Sequence, residues 1–363
     1  MKLLSIIGAR PQFIKVSVLD RRLCEKKIEH IILHTGQHYD SQMSDIFFEE
    51  LGINPPKYNL NINGLMHGAM TGQMIEKIEA VLIEEAPDWV LLYGDTNSTL
   101  AGAIAATKVH IKIAHIEAGL RSFNNWMPEE INRILTDRIS NLLFCPTETA
   151  FQNLMDEGFQ RFKCKPVITG DIMYDVANNF MDKSSIDQEL LKELNITYKK
   201  FILVTIHREE NTKEVSRVEM ILKTLKKLSK EFSIIFPIHP RTRAFFEENG
   251  LINKYTNANF KFIAPISYLK MLKLEKYARL ICTDSGGIQK EAYFVKTPCI
   301  TLRDETEWTE LINGGWNLLI PPTNEDDLLK GIYEMLNNFN PDDKNYYGDG
   351  NSSEIMINEL LKF

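Results

Sequence analysis

Leu3-Leu4-Ser5-Ile6-Ile7-Gly8-Ala9-Arg10-Pro11-Gln12-Phe13-Ile14-Lys15 joins an apolar run, a small-residue turn and the start of a helix. A short apolar run bounded by Gly and followed by a helical pattern reads as a strand buried on both faces of a parallel sheet. Pro11 falls in the first helical turn, a favoured place for proline. Two further turns have the same form. Residues 201–204 lead into Thr205-Ile206-His207-Arg208-Glu209-Glu210-Asn211, and residues 280–283 into Asp284-Ser285-Gly286-Gly287-Ile288-Gln289-Lys290-Glu291. In open α/β sheets ligands sit beyond the carboxyl ends of strands. Helix starts there offer free N–H groups and a positive dipole end, so they bind anions. Three such turns, basic residues among them, predict a phosphorylated ligand held between two α/β units.

The rest of the chain fits that reading. Further strand-like runs cover residues 30–34, 89–93, 111–116, 142–145 and 167–169, with helical patterns at 73–85 and 100–108 between them. Residues 182–200 are polar and charged and read as a connecting helix and linker. A second βα series takes in residues 201–204, 233–238, 260–263, 280–282 and 299–302. The alternation predicts an α/β protein of two Rossmann-like domains facing across a cleft. The expected divisions are 1–175, a linker helix at 176–200, and a second Rossmann-like domain at 201–340. Residues 337–353 read as loop, and 354–363 as a short amphipathic helix.

Composition narrows the function classes. A length of 363 residues exceeds one ordinary core. The net charge of -7 argues against non-specific nucleic-acid binding, which needs a basic surface. No apolar run reaches the roughly 18 residues of a membrane span. Cys24, Cys145, Cys164, Cys282 and Cys299 are scattered and lack C-x-x-C spacing, so they read as reduced thiols in a cytoplasmic protein. The histidines form no metal-spacing pair, so no metal site is assigned. Neither a P-loop nor G-x-G-x-x-G is present, so neither ATP nor NAD is indicated.

Several polar residues fall at strand ends. Arg10 and Lys15 can reach an anion at the first helix start. Asp95, in Tyr93-Gly94-Asp95-Thr96-Asn97, follows a very apolar run, where an acid can serve a pocket or merely cap the next helix. His115 and Glu117, two apart on a strand, are expected on the same side. Glu129 and Glu130 follow Pro128, where a helix dipole alone favours acids. Three acids, Asp95, Glu117 and Glu129, at one sheet's carboxyl end would raise one another's pKa and let an acid and a base coexist near neutrality. His207 is the natural proton carrier, and His239 in His239-Pro240-Arg241 a second, ligand-binding or structural candidate. Ser285 is expected to cap its helix, with Gly286 and Gly287 letting a diphosphate approach backbone N–H groups. Glu291, nearly two turns on, suits ribose hydroxyls.

Over essentially its whole length the chain resembles the non-hydrolysing UDP-N-acetylglucosamine 2-epimerase family. The matching elements are residues 8–15, Thr35-Gly36-Gln37-His38, Gly94-Asp95-Thr96, residues 115–121 and 128–133, Pro146-Thr147-Glu148, residues 207–211, His239-Pro240, residues 283–292, Arg303-Asp304-Glu305-Thr306-Glu307-Trp308 and Tyr347-Gly348-Asp349-Gly350. The resemblance implies a glycosyltransferase-B-type fold, a homodimer, an active site in the interdomain cleft, and a C-terminal helix that crosses back onto the first domain. It implies UDP elimination and re-addition through a 2-acetamido-glucal, with no cofactor. By position Asp95, Glu117, Glu129 and His207 then look catalytic. Arg10, Lys15, Arg133, His239, Ser285, Gly286, Gly287 and Glu291 look like UDP-sugar ligands. Gln37, His38 and Arg208 match part of a second, effector site.

The approach Arg121-Ser122-Phe123-Asn124-Asn125-Trp126-Met127 is shorter than the family's common form. That difference, the spelling of residues 8–13 and Gly170-Asp171-Ile172-Met173-Tyr174-Asp175 resemble a branch acting on modified UDP-sugars, such as 2,3-diacetamido-uronic acids of surface polysaccharides. Asn63-Gly64-Leu65-Met66-His67-Gly68 lacks the basic residue expected near an effector. A UDP-sugar glycosyltransferase and a hydrolysing 2-epimerase are the rival readings; the fold and UDP cradle would be shared.

Overall fold

The computed structural model describes residues 1–37, 51–181 and 186–363. They form two compact units, Met1–Asn179 with Asn345–Phe363, and Phe180–Lys344. The first is built on β1 (Lys2–Ile7), β2 (Glu29–His34), β3 (Tyr58–Asn59), β4 (Trp89–Tyr93), β5 (Lys112–Ile116), β6 (Leu142–Cys145) and β7 (Lys165–Ile168). The second is built on β8 (Phe201–Thr205), β9 (Ser233–Pro237), β10 (Phe260–Ile263), β11 (Leu280–Thr283), β12 (Cys299–Thr301) and β13 (Asn317–Leu319).

Both sheets are parallel throughout, and the strand orders are β3-β2-β1-β4-β5-β6-β7 and β10-β9-β8-β11-β12-β13. In each the chain works outward from the first strand, then returns to its other side. The switch points therefore lie between β1 and β4, and between β8 and β11. Ligands of open α/β sheets bind at such points. Residues Gly8–Lys15 and Gly94–Asp95 stand at one; His207 and Asp284–Gly287 stand at the other.

The strands read as apolar because both faces are buried. Leu3, Leu4, Ile6, Ile7, Val90, Leu91 and Leu92 are inaccessible to solvent. The second core joins β8 and β9 to helix Val215–Leu228 through Ile202, Val204, Val218, Ile221 and Phe236. Strands β3 and β13, two and three residues long, carry too little pattern to be anticipated. Helix His67–Glu85 starts a turn and a half before its apolar pattern, with no side-chain cap at Met66.

The C-terminal helix Ser352–Leu360 belongs to the first unit. Its free N–H groups are met by a distant residue. Buried Asp175 accepts from Ser352 N at 2.9 Å, Ser353 N at 2.7 Å and Ser353 Oγ at 2.6 Å. Helix Gln188–Glu193, in the stretch expected as a linker, packs Leu190 and Leu191 into another core cluster of the second unit, beside Phe201 and Leu203. Among the described residues no helix is long and apolar enough to cross a membrane.

Candidate active site

In the first unit, two carboxylates stand at the ends of adjacent strands and each meets a cation. Asp95, just past β4, is ion-paired with Arg133 Nη2. Glu117, just past β5, is ion-paired with Lys15 Nζ, and both of those side chains are about nine-tenths buried. The sequence placed Lys15 with Arg10 on an anion; the fold brings it to Glu117, while Arg10 is exposed at the first residue of helix Arg10–Glu25. The two acids are thus matched to different cations.

His115 and Glu117 both approach Gly94, His115 through Nε2 at 2.7 Å from its carbonyl and Glu117 through Oε2 beside its α-carbon. Glu117 leaves the strand in the left-handed region, with φ 71, so alternation ends at Ile116. His115 is fully buried, with Nδ1 2.6 Å from Asp137 Oδ1 and Nε2 2.7 Å from Gly94 O. Asp137 Oδ2 also accepts from Gly119 N at 3.1 Å and Arg121 Nη1 at 2.7 Å. One buried carboxylate therefore gathers the turns that carry Asp95 and Glu117. Gly8 is required where these elements meet, since a Cβ there would lie 2.1 Å from Ser98 Oγ and 2.3 Å from Thr35 Oγ1.

Glu129 and Glu130 separate sharply. Glu129 is exposed in the first turn of helix Pro128–Ile139, whereas Glu130 is 1% exposed. Glu130 accepts from Ser122 N at 2.9 Å, Ser122 Oγ at 3.0 Å and Phe123 N at 3.0 Å, and pairs with Arg133 Nη1 at 2.7 Å. Burial works to raise its pKa, but the bonds from Ser122, Arg133 and Phe123 outweigh burial and hold the carboxyl below its ordinary range. Arg133 so bridges Glu130 and Asp95, and Glu130 pins the short loop before the helix.

In the second unit, buried Asp284 organises the turn that carries His207. Its carboxylate accepts from His207 N at 3.1 Å, Arg208 N at 3.0 Å and Asn211 Nδ2 at 3.0 Å. His207 Nδ1 lies 3.3 Å from Asp284 Oδ1, with the ring about half exposed. Ser285 occupies the cap position of helix Gly286–Phe294, but its side chain makes no cap hydrogen bond, which corrects the expected role. Gly286 leaves room for a carboxylate: Glu307 Oε1 lies 2.5 Å from where its Cβ would be, while Gly287 is open. Glu307 also pairs with Arg303 at 2.7 Å and stands 4.0 Å from Arg208. Glu291 is 9% exposed. Burial first, and the Glu291 charge second, push the fully buried Glu275 carboxyl well above its ordinary range. His239 caps helix Pro240–Glu248, its Nδ1 accepting from Arg241 N at 3.3 Å.

Of the residues matched to an effector site, Gln37 Oε1 accepts from Ser98 N at 3.0 Å and Ser98 Oγ at 2.7 Å. Arg208 belongs to the second unit, beside Glu307, and His38 lies outside the described residues. The sequence reading missed Glu130, Asp137 and the organising role of Asp284, although Asp284 heads one of the three turns.

The chain is similar to known proteins along its whole length. The family model described as UDP-N-acetylglucosamine 2-epimerase matches residues 21–361. A UDP-N-acetylglucosamine 2-epimerase homolog of Methanococcus maripaludis is 50% identical, covering 100% of this chain and 99% of its own. The UDP-2,3-diacetamido-2,3-dideoxy-D-glucuronate 2-epimerase of Pseudomonas aeruginosa is 47% identical over 100% of both chains. The crystal structure of Methanocaldococcus jannaschii UDP-GlcNAc 2-epimerase in complex with UDP-GlcNAc and UDP superposes with a TM-score of 0.84 at 44% identity, over 100% of both chains. With two parallel sheets, polar turns at both switch points and likeness from end to end, the chain belongs to the UDP-N-acetylglucosamine 2-epimerase family.

Proposed function

We propose that this protein interconverts a UDP-2-acetamido sugar with its C2 epimer, without net hydrolysis. A carboxylate takes the C2 proton, the C1–O bond to UDP breaks, and the electron pair leaves with the diphosphate. The product is a 2-acetamido-glucal with a C1=C2 double bond. Re-addition of UDP at C1 and of a proton at C2 on the opposite face gives the epimer. Asp95, Glu117, Glu129 and His207 handle the protons and developing charge. Arg10, Lys15, Arg133 and His239 hold the anionic substrate, Ser285 with Gly286 and Gly287 the diphosphate, and Glu291 the ribose. The observation that carries this reading is the pairing of Asp95 and Glu117, on neighbouring strand ends, each with its own cation.

The sugar is UDP-GlcNAc or a 3-acetamido, uronic derivative of it; relatives named for the two substrates are 45% and 47% identical. Its use is in precursors of surface polysaccharides. Gln37, His38 and Arg208 are assigned to an effector site. The free thiols of all five cysteines suit a reducing cytoplasm. A homodimer is supported by the exposed apolar stripe Ile131 and Leu135, next to exposed Trp126 and Phe123; light scattering at twice the 41.8 kDa chain mass is the expected result.

Incubation with each UDP-sugar in deuterated water, followed by proton NMR, tests the reaction. Loss of the C2 proton signal with growth of the epimer is expected with one of the two sugars. Accumulation of free UDP and sugar would establish the hydrolysing reaction instead, and UDP release only when an acceptor is added would establish a transferase.

A further inference from the structure

Three successive carbonyls at the end of β4 each accept a hydrogen bond from a different buried side chain. Gln12 Nε2 donates to Tyr93 O at 2.6 Å, His115 Nε2 to Gly94 O at 2.7 Å, and Asn132 Nδ2 to Asp95 O at 2.9 Å. These donors are 2%, 0% and 6% exposed. They come from three separate elements: helix Arg10–Glu25, strand β5 and helix Pro128–Ile139.

Each donor is itself held. Gln12 Oε1 accepts from Gly8 N at 2.7 Å and Ala9 N at 3.0 Å, so one amide joins the turns after β1 and β4. His115 Nδ1 faces Asp137, and Asn132 Nδ2 also reaches Asn97 Oδ1 at 3.2 Å. The segment so held is short, and Gly94 within it has φ 64. None of the three is a helix-cap bond, in which a side-chain oxygen accepts from a backbone N–H. We propose that Gln12, His115 and Asn132 are positioning residues that fix the Asp95 backbone, and with it the place of the Asp95 carboxylate against Arg133. The proposal rests on Asp95 being a reacting group. Proton abstraction and elimination need that group held to about half an ångström, by side chains that are themselves locked.

Gln12→Glu and Asn132→Asp are nearly isosteric and test it. An ionised carboxylate cannot donate and repels the carbonyl it faces; a protonated carboxyl can still donate. The expected result at about pH 8 is a fall in kcat of roughly 10–100-fold with KM little changed. Relative to wild type, kcat should recover as pH falls toward the range where a buried carboxyl regains its proton. Variants whose kcat tracks wild type at every pH would overturn the proposal. So would equal losses in kcat and melting temperature with no recovery at low pH, which mark a merely structural role. If wild type epimerises no UDP-sugar, the functional reading fails separately. Amide hydrogen exchange then tests the clamp itself: exchange at Asp95 and Asn97 should accelerate in Asn132→Asp, and unchanged exchange would overturn it.

Discussion

Lys15 and Glu117 form an ion pair across 102 positions of sequence, with side chains 9% and 10% exposed. Glu117 is held with φ 71, a conformation that costs a non-glycine residue about 1–3 kcal/mol. Such strain persists only where the surroundings over-determine it, and here the turns around it are fixed by Asp137 and by Lys15. Strain of this kind clusters at functional sites, which is the ground for the proton-transfer role proposed for Glu117. Glu117→Gln keeps its shape and removes its charge. Turnover should fall by about 10²–10⁴-fold, while UDP affinity by titration calorimetry stays near wild type. Undiminished turnover would remove Glu117 from the reaction.

Ser285 offers a cleaner separation of stability from binding. Replacing a working cap by Ala costs about 1 kcal/mol of stability. The Ser285 side chain makes no cap bond, so Ser285→Ala should leave the thermal midpoint unchanged. If the hydroxyl meets the diphosphate, UDP binding should weaken by about 1–2 kcal/mol. A lowered midpoint with unaltered UDP affinity would return Ser285 to a capping role.

How far the sequence reveals this protein depends on whether a signal is local. Strands β1, β4, β8 and β11 are legible because burial on both faces makes them nearly continuous apolar runs, and Pro11 marks its helix start by fixed φ alone. The turns at both switch points follow from those strands. What is not legible is non-local. Glu129 and Glu130 are equivalent by dipole and spacing; only the folding back of Ser122 and Phe123 buries the second. Ser285 looks like a cap, whereas the decisive carboxylate of that turn, Asp284, reaches across 76 positions to Arg208 N. The pairing of Lys15 with Glu117 is hidden for the same reason.

The C-terminal helix has a cap supplied from far along the chain. Asp175 takes three donors from Ser352 and Ser353, across 177 and 178 positions. In Asp175→Asn one side-chain oxygen becomes an NH₂ group that faces these donors and cannot accept from them. Loss of a charge-assisted bond costs about 1–3 kcal/mol, and the effect should concentrate in residues 345–363. Hydrogen exchange by mass spectrometry should show that segment opening while the β1–β4 peptides remain protected. Uniform exchange across the unit would mean that Asp175 supports the whole core rather than the helix.

His34, the last residue of β2, gives the fold an acid sensitivity of known sign. It is 3% exposed, its ring 5.1 Å from that of Phe13. Burial lowers its pKa to about 4, partly offset by a bond with Asn59. An unfolded chain has this histidine near 6.5. The folded value is the lower one, so the unfolded state binds the proton more readily between those limits. The contribution to stability is complete above about pH 6.5 and is lost as pH falls toward 4. At 1.36 kcal/mol per unit the loss amounts to about 3 kcal/mol. Urea unfolding of wild type and His34→Gln at a series of pH values isolates this term from the carboxylates that also titrate. The variant should lose stability less steeply between pH 6.5 and 4, whatever its stability at neutral pH. Parallel pH dependences would mean that the imidazole is not held neutral by its burial beneath the end of β2.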